Sequence, residues 1–530
     1  MRLKLSMSMY KTASAAVDYS AATVVAPPVM PQVINIFLYG GPSELSGNLT
    51  NIQEIEDNSQ NSYAAGFGGN ILLNDVDGTG ANGWITKNGF WRGTARTNDN
   101  FHLDNNGAGG RAMQFMLDNG HMSVYRTLFK KLDGTRSHRE SLLQSFKGSL
   151  DIEGSAGVGT KIAATLFQHR DKFVAGTLLA DGTPITDIVY GTNMLLPFVS
   201  FEGETRAYQQ DPDFQIPLLF RGITLDEGFD NPFSRSAPAN GVSETDLNDL
   251  VGLIRTAQYD ARFAGAANSF NLGEELDLKI GDIRTQNAGA NLPDIPAGLD
   301  ADSVGLVGGG KLVYPNNNRY SNRIRAAVTL ALVNPSSVYI TVGGGLGGWD
   351  DHNNGTDNYE RRMNDLFEVM KVAMLHIKYF NSNTLNGFQR TTNDNIAINM
   401  FGDFGRRVNL NGNQGWDHGN NQNLYTFGGA DLRPPNALGK VVGTTVRVGD
   451  PLTNNQVTEP APVSYTAEPM SVAATVFSYF GVQNPELLTR DDEFNPAGVP
   501  AIDETQLPAD PVQPLPLQHP PDFDQTKEWV

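Results

Sequence analysis

"SVYITVGGGLGGWDDH", residues 337–352, passes from an apolar run into five glycines and then delivers Trp349, Asp350, Asp351 and His352. The apolar half reads as a short strand covered on both faces, because branched and aromatic residues follow one another without polar alternation. The glycine half is neither helix nor strand interior, since glycine gives up too much backbone freedom in either. A strand therefore ends here in a loop that presents two carboxylates and an imidazole at its carboxyl end. Those donors in succession point to a divalent cation; the alternative is a polar turn whose aspartates accept backbone amides.

The neighbouring sequence supplies the rest of a parallel unit. "YERRMNDLFEVMKVAMLHIKYF" (359–380) places Met363, Leu366, Phe367, Met370, Ala373, Met374, Ile377 and Phe380 at helical spacing. "NIAINMFGD" (395–403) repeats the strand-then-glycine form, as do "VINIFLYGG" (33–41) and "NLYTFGG" (423–429). Strand, helix, strand is a βαβ unit, which predicts an α/β fold with a mostly parallel sheet. Ligands of such sheets sit beyond the carboxyl ends of the strands, where each glycine pair is expected to fall.

Three more stretches carry chemistry. "NMFGDFGRR" (399–407) puts Asp403 after a strand with Arg406 and Arg407 beyond it; the arginines suit a phosphate or sulfate oxygen, or an ion pair with Asp403. "GWDHGNN" (415–421) adds Asp417 and His418. In "TRSHRESLLQSF" (135–146), Ser137 with Glu140 three residues on forms a capping box at a helix start. The same place favours an anion and an alkoxide, so Ser137 beside a metal reads equally as a nucleophile. "NDVDGTGANG" (74–83) opens like a calcium loop and lacks its closing glutamate.

Composition narrows the classes. The chain has 530 residues, 39% of them hydrophobic, a formal net charge of -19 and no cysteine. The acidic balance argues against nucleic acid, and thiol catalysis and zinc–thiolate sites are excluded. No apolar run approaches the roughly 20 residues of a membrane span. With 8 histidines, nitrogen ligands come from a short list.

Residues 1–30 read as an N-terminal arm or an atypical export segment, and 31–490 as the α/β domain, with Asn/Gly-rich insertions at about 45–110 and 180–320. A helix over 243–259 is expected to be capped by Ser243. Residues 491–530 are acidic and proline-rich, an extended arm. Self-association through the two ends is expected, with Phe523 and Trp529 as anchors.

In their order, "FLYGGPSEL", "TRSHRESLLQ", "GGWDDH", "FGDFGRR" and "GWDHGNN" resemble domain-of-unknown-function family 1501, over roughly residues 30–485. Proteins of that family are bacterial, usually exported, and similar to sulfatases and alkaline phosphatases. The resemblance implies a three-layer, alkaline-phosphatase/sulfatase-like domain with metal ligands at the strand ends. It makes Asp350 or Asp351, His352, Asp403, Asp417 and His418 ligand candidates for Zn, Mn, Mg or Ca, and gives Ser137 and Arg406 catalytic roles. The chain departs from the family where an aspartate usually follows the first strand: only Glu44 stands near. Asp403 replaces a glutamate one methylene longer, and Asp351 a threonine. Two functions follow as expectations: an exported, metal-dependent hydrolase of phosphate or sulfate esters, or an extracytoplasmic binding or surface-assembly protein that keeps the fold.

Overall fold

The computed structural model describes residues 17–42, 109–186, 194–214, 222–230, 264–290, 292–296, 310–343, 348–353, 355–382, 388–411, 413, 415–448, 459–491 and 494–509. The expected helix over 243–259, the calcium-like loop 74–83, Glu44, Phe523 and Trp529 lie outside these residues.

An eight-stranded sheet forms the centre. Its strands are β1 (Gln32–Leu38), β2 (Met122–Phe129), β3 (Phe198–Ser200), β4 (Ile223–Thr224), β5 (Tyr339–Val342), β6 (Ile396–Gly402), β9 (Asn421–Gly428) and β10 (Val441–Val442). Between β6 and β9 the chain makes a separate hairpin of β7 (Gly405–Leu410) and β8 (Trp416–Gly419). The order across the sheet is β10-β2-β9-β6-β1-β5-β3-β4. β1 pairs parallel with both β5 and β6, so the chain leaves β5 and returns as β6 on the far side of β1. Seven strands share one direction and β9 alone is reversed, pairing antiparallel with β2 and β6. The sheet is thus mostly parallel and mixed.

Alternation along each strand divides the apolar residues between two cores. Ile34, Ile36 and Leu38 of β1 enter one, together with α1 (Gly110–Asp118), α5 (Ala264–Thr285), α6 (Ser321–Val333) and α7 (Gly355–Tyr379). Val33 and Phe37 enter the other, with α2 (His138–Lys147), α3 (Val158–Gln168), α4 (Arg170–Gly176) and α8 (Ser471–Tyr479). Helices therefore cover both faces, which is why β1 reads as unbroken apolar sequence. The eight apolar positions expected on one face of the 359–380 helix are all buried.

The reversed strand corrects one expectation. The β7–β8 hairpin turns the chain around at the carboxyl edge, so β9 starts there and runs away from it. The Gly428–Gly429 pair consequently lies at the opposite edge, where Gly428 N–H donates to His121 O just before β2. The other glycine-ended strands, β1, β5 and β6, do end together at the carboxyl edge.

The ends join the body more than extended arms would. Tyr19, Val24 and Met30 are buried in the second core. Residues 494–509 run back over the domain with Val499, Ile502 and Glu504 buried. No helix of the described residues is long and apolar enough to cross a membrane.

Candidate metal centre

Four chain segments meet at the carboxyl edge of the sheet. Gly40 and Gly41 follow β1 with φ of 111° and 71°, a backbone that L side chains rarely adopt. A Cβ on Gly40 would collide with Asp350 N, so glycine here is what lets the β5 loop lie against the β1 turn. Trp349 N–H donates to Tyr39 O at 3.0 Å across that contact. The hairpin docks beside it, with Trp416 N–H on Asp351 O (2.8 Å) and Asn411 Nδ2 on His352 O (2.9 Å). The fourth segment runs from β2 to α2. Lys130 braces it, donating to Thr135 O (2.9 Å) and Ser141 Oγ (2.7 Å), and burial lowers its pKa to about 8.

At this junction three imidazoles face one carboxylate oxygen. Asp350 Oδ1 lies 3.3 Å from His138 Nε2, 3.2 Å from His352 Nε2 and 3.4 Å from His418 Nε2. His352 Nε2 and His418 Nε2 are 2.8 Å apart. Each ring turns its other nitrogen to an oxygen that only accepts. His138 Nδ1 is 2.5 Å from Asp403 Oδ2, His418 Nδ1 is 2.9 Å from Arg136 O, and His352 Nδ1 is 3.4 Å from Asp417 Oδ1. Hydrogen bonds to those acceptors take the Nδ1 protons of His138 and His418 and direct their Nε2 lone pairs at the carboxylate, with His352 Nε2 alongside.

Two imidazole nitrogens 2.8 Å apart share either a proton or a cation. His138 Nε2 is buried without a hydrogen-bond partner, an orphan of the kind a metal satisfies. The ligand atoms of His138, Asp350 and His418 lie within 4.8 Å of one another, a group that can hold a metal ion. Metal bonds of about 2.0–2.1 Å at tetrahedral angles separate ligand atoms by roughly 3.3 Å. The spacings around Asp350 Oδ1 match that edge.

Charges are set accordingly. Burial works to raise the pKa of Asp350, but the hydrogen bond and charge of Arg406, with His138 and His352 nearby, hold it down at about 2. The hydrogen bond to Asp403 raises the pKa of His138 despite partial burial. Burial, then the charges of Arg406 and His138, lower that of His418. The centre stays open to solvent: the side chain of Asp350 is 47% exposed and that of His138 37%.

The residues singled out from the sequence separate into three groups. Asp350, His352 and His418 meet at the centre. Asp403 and Asp417 stand behind it, each against an imidazole Nδ1. Asp351 points away: it is buried and takes two 2.7 Å hydrogen bonds from Arg362. Arg406 is fully buried and turned inward. It donates to Gly41 O (2.7 Å), Trp416 O (2.9 Å), Trp349 O (3.0 Å), Gly40 O and Asp350 Oδ1 (2.8 Å), and so ties three loops together. Ser137 is exposed at the N-cap of α2, its Oγ accepting from Glu140 N–H at 3.5 Å. The capping box is half formed, because Glu140 turns to Thr135 Oγ1 (2.5 Å) instead of reaching back to Ser137.

His138 was absent from the sequence-derived set. Its stretch reads first as a helix start, and that reading leaves the residue after the cap without a task. The available signal was its place in the first turn of a helix next to a candidate nucleophile, in a chain with 8 histidines to draw on.

Compared with known proteins, the chain matches no family model, no curated protein and no solved structure.

Proposed function

We propose that this protein binds a divalent cation at the His138–Asp350–His418 group, with His352 adjoining, and hydrolyses phosphate or sulfate esters there. One observation carries the reading: three imidazole Nε2 atoms face a single carboxylate oxygen at the solvent-open carboxyl edge of a mostly parallel sheet. The nitrogen-rich donor set favours zinc or a neighbouring transition metal over magnesium or calcium, which prefer oxygen. A cation bound there supplies Lewis acidity and lowers the pKa of an adjoining hydroxyl. Ser137 offers that hydroxyl one residue before His138, at the start of a helix, where the field favours anionic oxygens. The extracytoplasmic setting expected from the family resemblance belongs to the same proposal.

A binding-only reading is favoured by Arg406, whose buried guanidinium is committed to the loops and does not reach out to a substrate. Metal analysis of the purified protein, with aryl phosphate and aryl sulfate assays, separates the two. Ser137→Ala should retain the ion and lose turnover, while His138→Ala should lose both. Turnover that survives both complete chelation and Ser137→Ala would overturn the hydrolase reading, and a stoichiometric ion without any turnover would establish the binding one.

A further inference from the structure

Asp403 and Asp417 read from the sequence as metal ligands, and the geometry gives them a different task. Asp403 is 2% exposed, and both its oxygens are engaged: Oδ1 accepts Gly40 N–H at 3.1 Å and Oδ2 faces His138 Nδ1 at 2.5 Å. Neither oxygen faces the space between the Nε2 atoms. Asp417 stands on the far side of His352 in the same way, its Oδ1 3.4 Å from Nδ1 and 3.4 Å from Asn411 Nδ2. Behind His418 the backbone carbonyl of Arg136 does this work. One oxygen thus stands behind each ring.

From this arrangement we infer that the centre is mononuclear, and that Asp403 and Asp417 are positioning carboxylates that fix the tautomer and aim of His138 and His352. The inference rests on a metal occupying the group described above, and not on hydrolysis. A second ion would need its own carboxylates. Among the described residues one group of three or more histidines and carboxylates can hold an ion, and Asp403 beside it has both oxygens engaged. Such partners raise the basicity of a ligating imidazole and hold its ring, and their loss commonly weakens metal affinity about 10–100-fold.

The test is titration of the metal-free full chain with Co(II), followed by calorimetry and by the cobalt visible spectrum. Wild type should bind one ion per chain. Asp403→Asn should still bind one ion, with the wild-type spectrum and an affinity about 10–100-fold weaker. Asp417→Asn should do the same to a smaller degree, because its contact is longer, and it serves if Asp403→Asn does not fold. Two ions per wild-type chain, or a changed cobalt spectrum in either folded variant, would overturn the inference, as would an unchanged affinity in both. These readouts are independent of turnover. A chain that binds one ion as described and hydrolyses nothing would sink the proposed function and leave this inference standing, whereas failure to bind any ion would remove both.

Discussion

Asp350 and Asp351 are neighbours with opposite surroundings. Asp350 faces three imidazoles and solvent, whereas Asp351 turns inward to Arg362, whose guanidinium lies 5.8 Å from the centre of the Trp349 ring. Burial pushes the Asp351 carboxyl above its usual range even beside that arginine. Removing its charge leaves Arg362 with an unmatched charge in an almost closed site, which costs about 3–5 kcal/mol. Asp351→Asn should therefore lower the denaturation midpoint while the bound ion stays stoichiometric, whereas Asp350→Asn should lose the ion. An Asp351→Asn protein of wild-type stability that has lost its ion would refute this division. The sequence placed both aspartates at the end of β5. It carried no sign of which faces in, since consecutive residues of an irregular loop obey neither the two-residue nor the 3.6-residue period. His138 was hidden for a related reason, because the capping pattern explains its stretch without it.

Among the elements, those with a strong period were legible. β1, β5, β6 and α7 follow from unbroken apolar runs and a helical stripe, and their order gives the crossover around β1. The direction of β9 was not legible, because it is decided by a β7–β8 hairpin of mixed polarity. Buried polar groups were also invisible to pattern. Lys161 of α3 is one: it is fully buried and donates to Lys147 O (2.9 Å) near the end of α2 and to Leu488 O (2.7 Å). Burial, partly offset by the charge of Asp211, lowers its pKa from 10.5 to about 7. Between those two values the unfolded chain holds a proton that the folded chain has released, so stability must rise with pH across this window. The limiting slope is about 1.4 kcal/mol per pH unit. Urea midpoints of wild type and Lys161→Met, measured from pH 7 to pH 9, should move so that wild type gains on the variant as pH rises. A difference that stays constant over this range would show that Lys161 keeps its proton when buried.

At the scale of the whole molecule, the sheet and its two cores were readable in outline, but the boundary of the domain was not. Acidic, proline-rich sequence suggests an arm from 491 onward, yet residues 494–509 form a strap tied to the body by polar groups. Ile502 N–H donates to Thr475 Oγ1 (2.8 Å), Asp503 N–H to Tyr465 OH (2.7 Å) and Ala509 N–H to Val441 O (2.7 Å) on edge strand β10. Glu504 is the centre of the attachment. Its carboxylate pairs with Arg433 and accepts from Tyr479 OH (2.9 Å), while Lys440 Nζ reaches its carbonyl at 2.7 Å. Composition cannot announce such a clamp, because it depends on partners far apart in sequence. Arg433 is 8% exposed, so a chain without Glu504 leaves a cation confined in the core. Breaking a buried pair from one side costs about 3–5 kcal/mol, whereas replacing both partners with apolar groups of similar volume is often neutral. Glu504→Ala should thus lower the urea midpoint strongly and expose the strap to protease, and Arg433→Met combined with Glu504→Leu should recover most of the loss. If the single variant unfolds at the wild-type midpoint, or the double variant is weaker than the single, then the strap is held by its apolar residues Val499 and Ile502 and not by this ion pair.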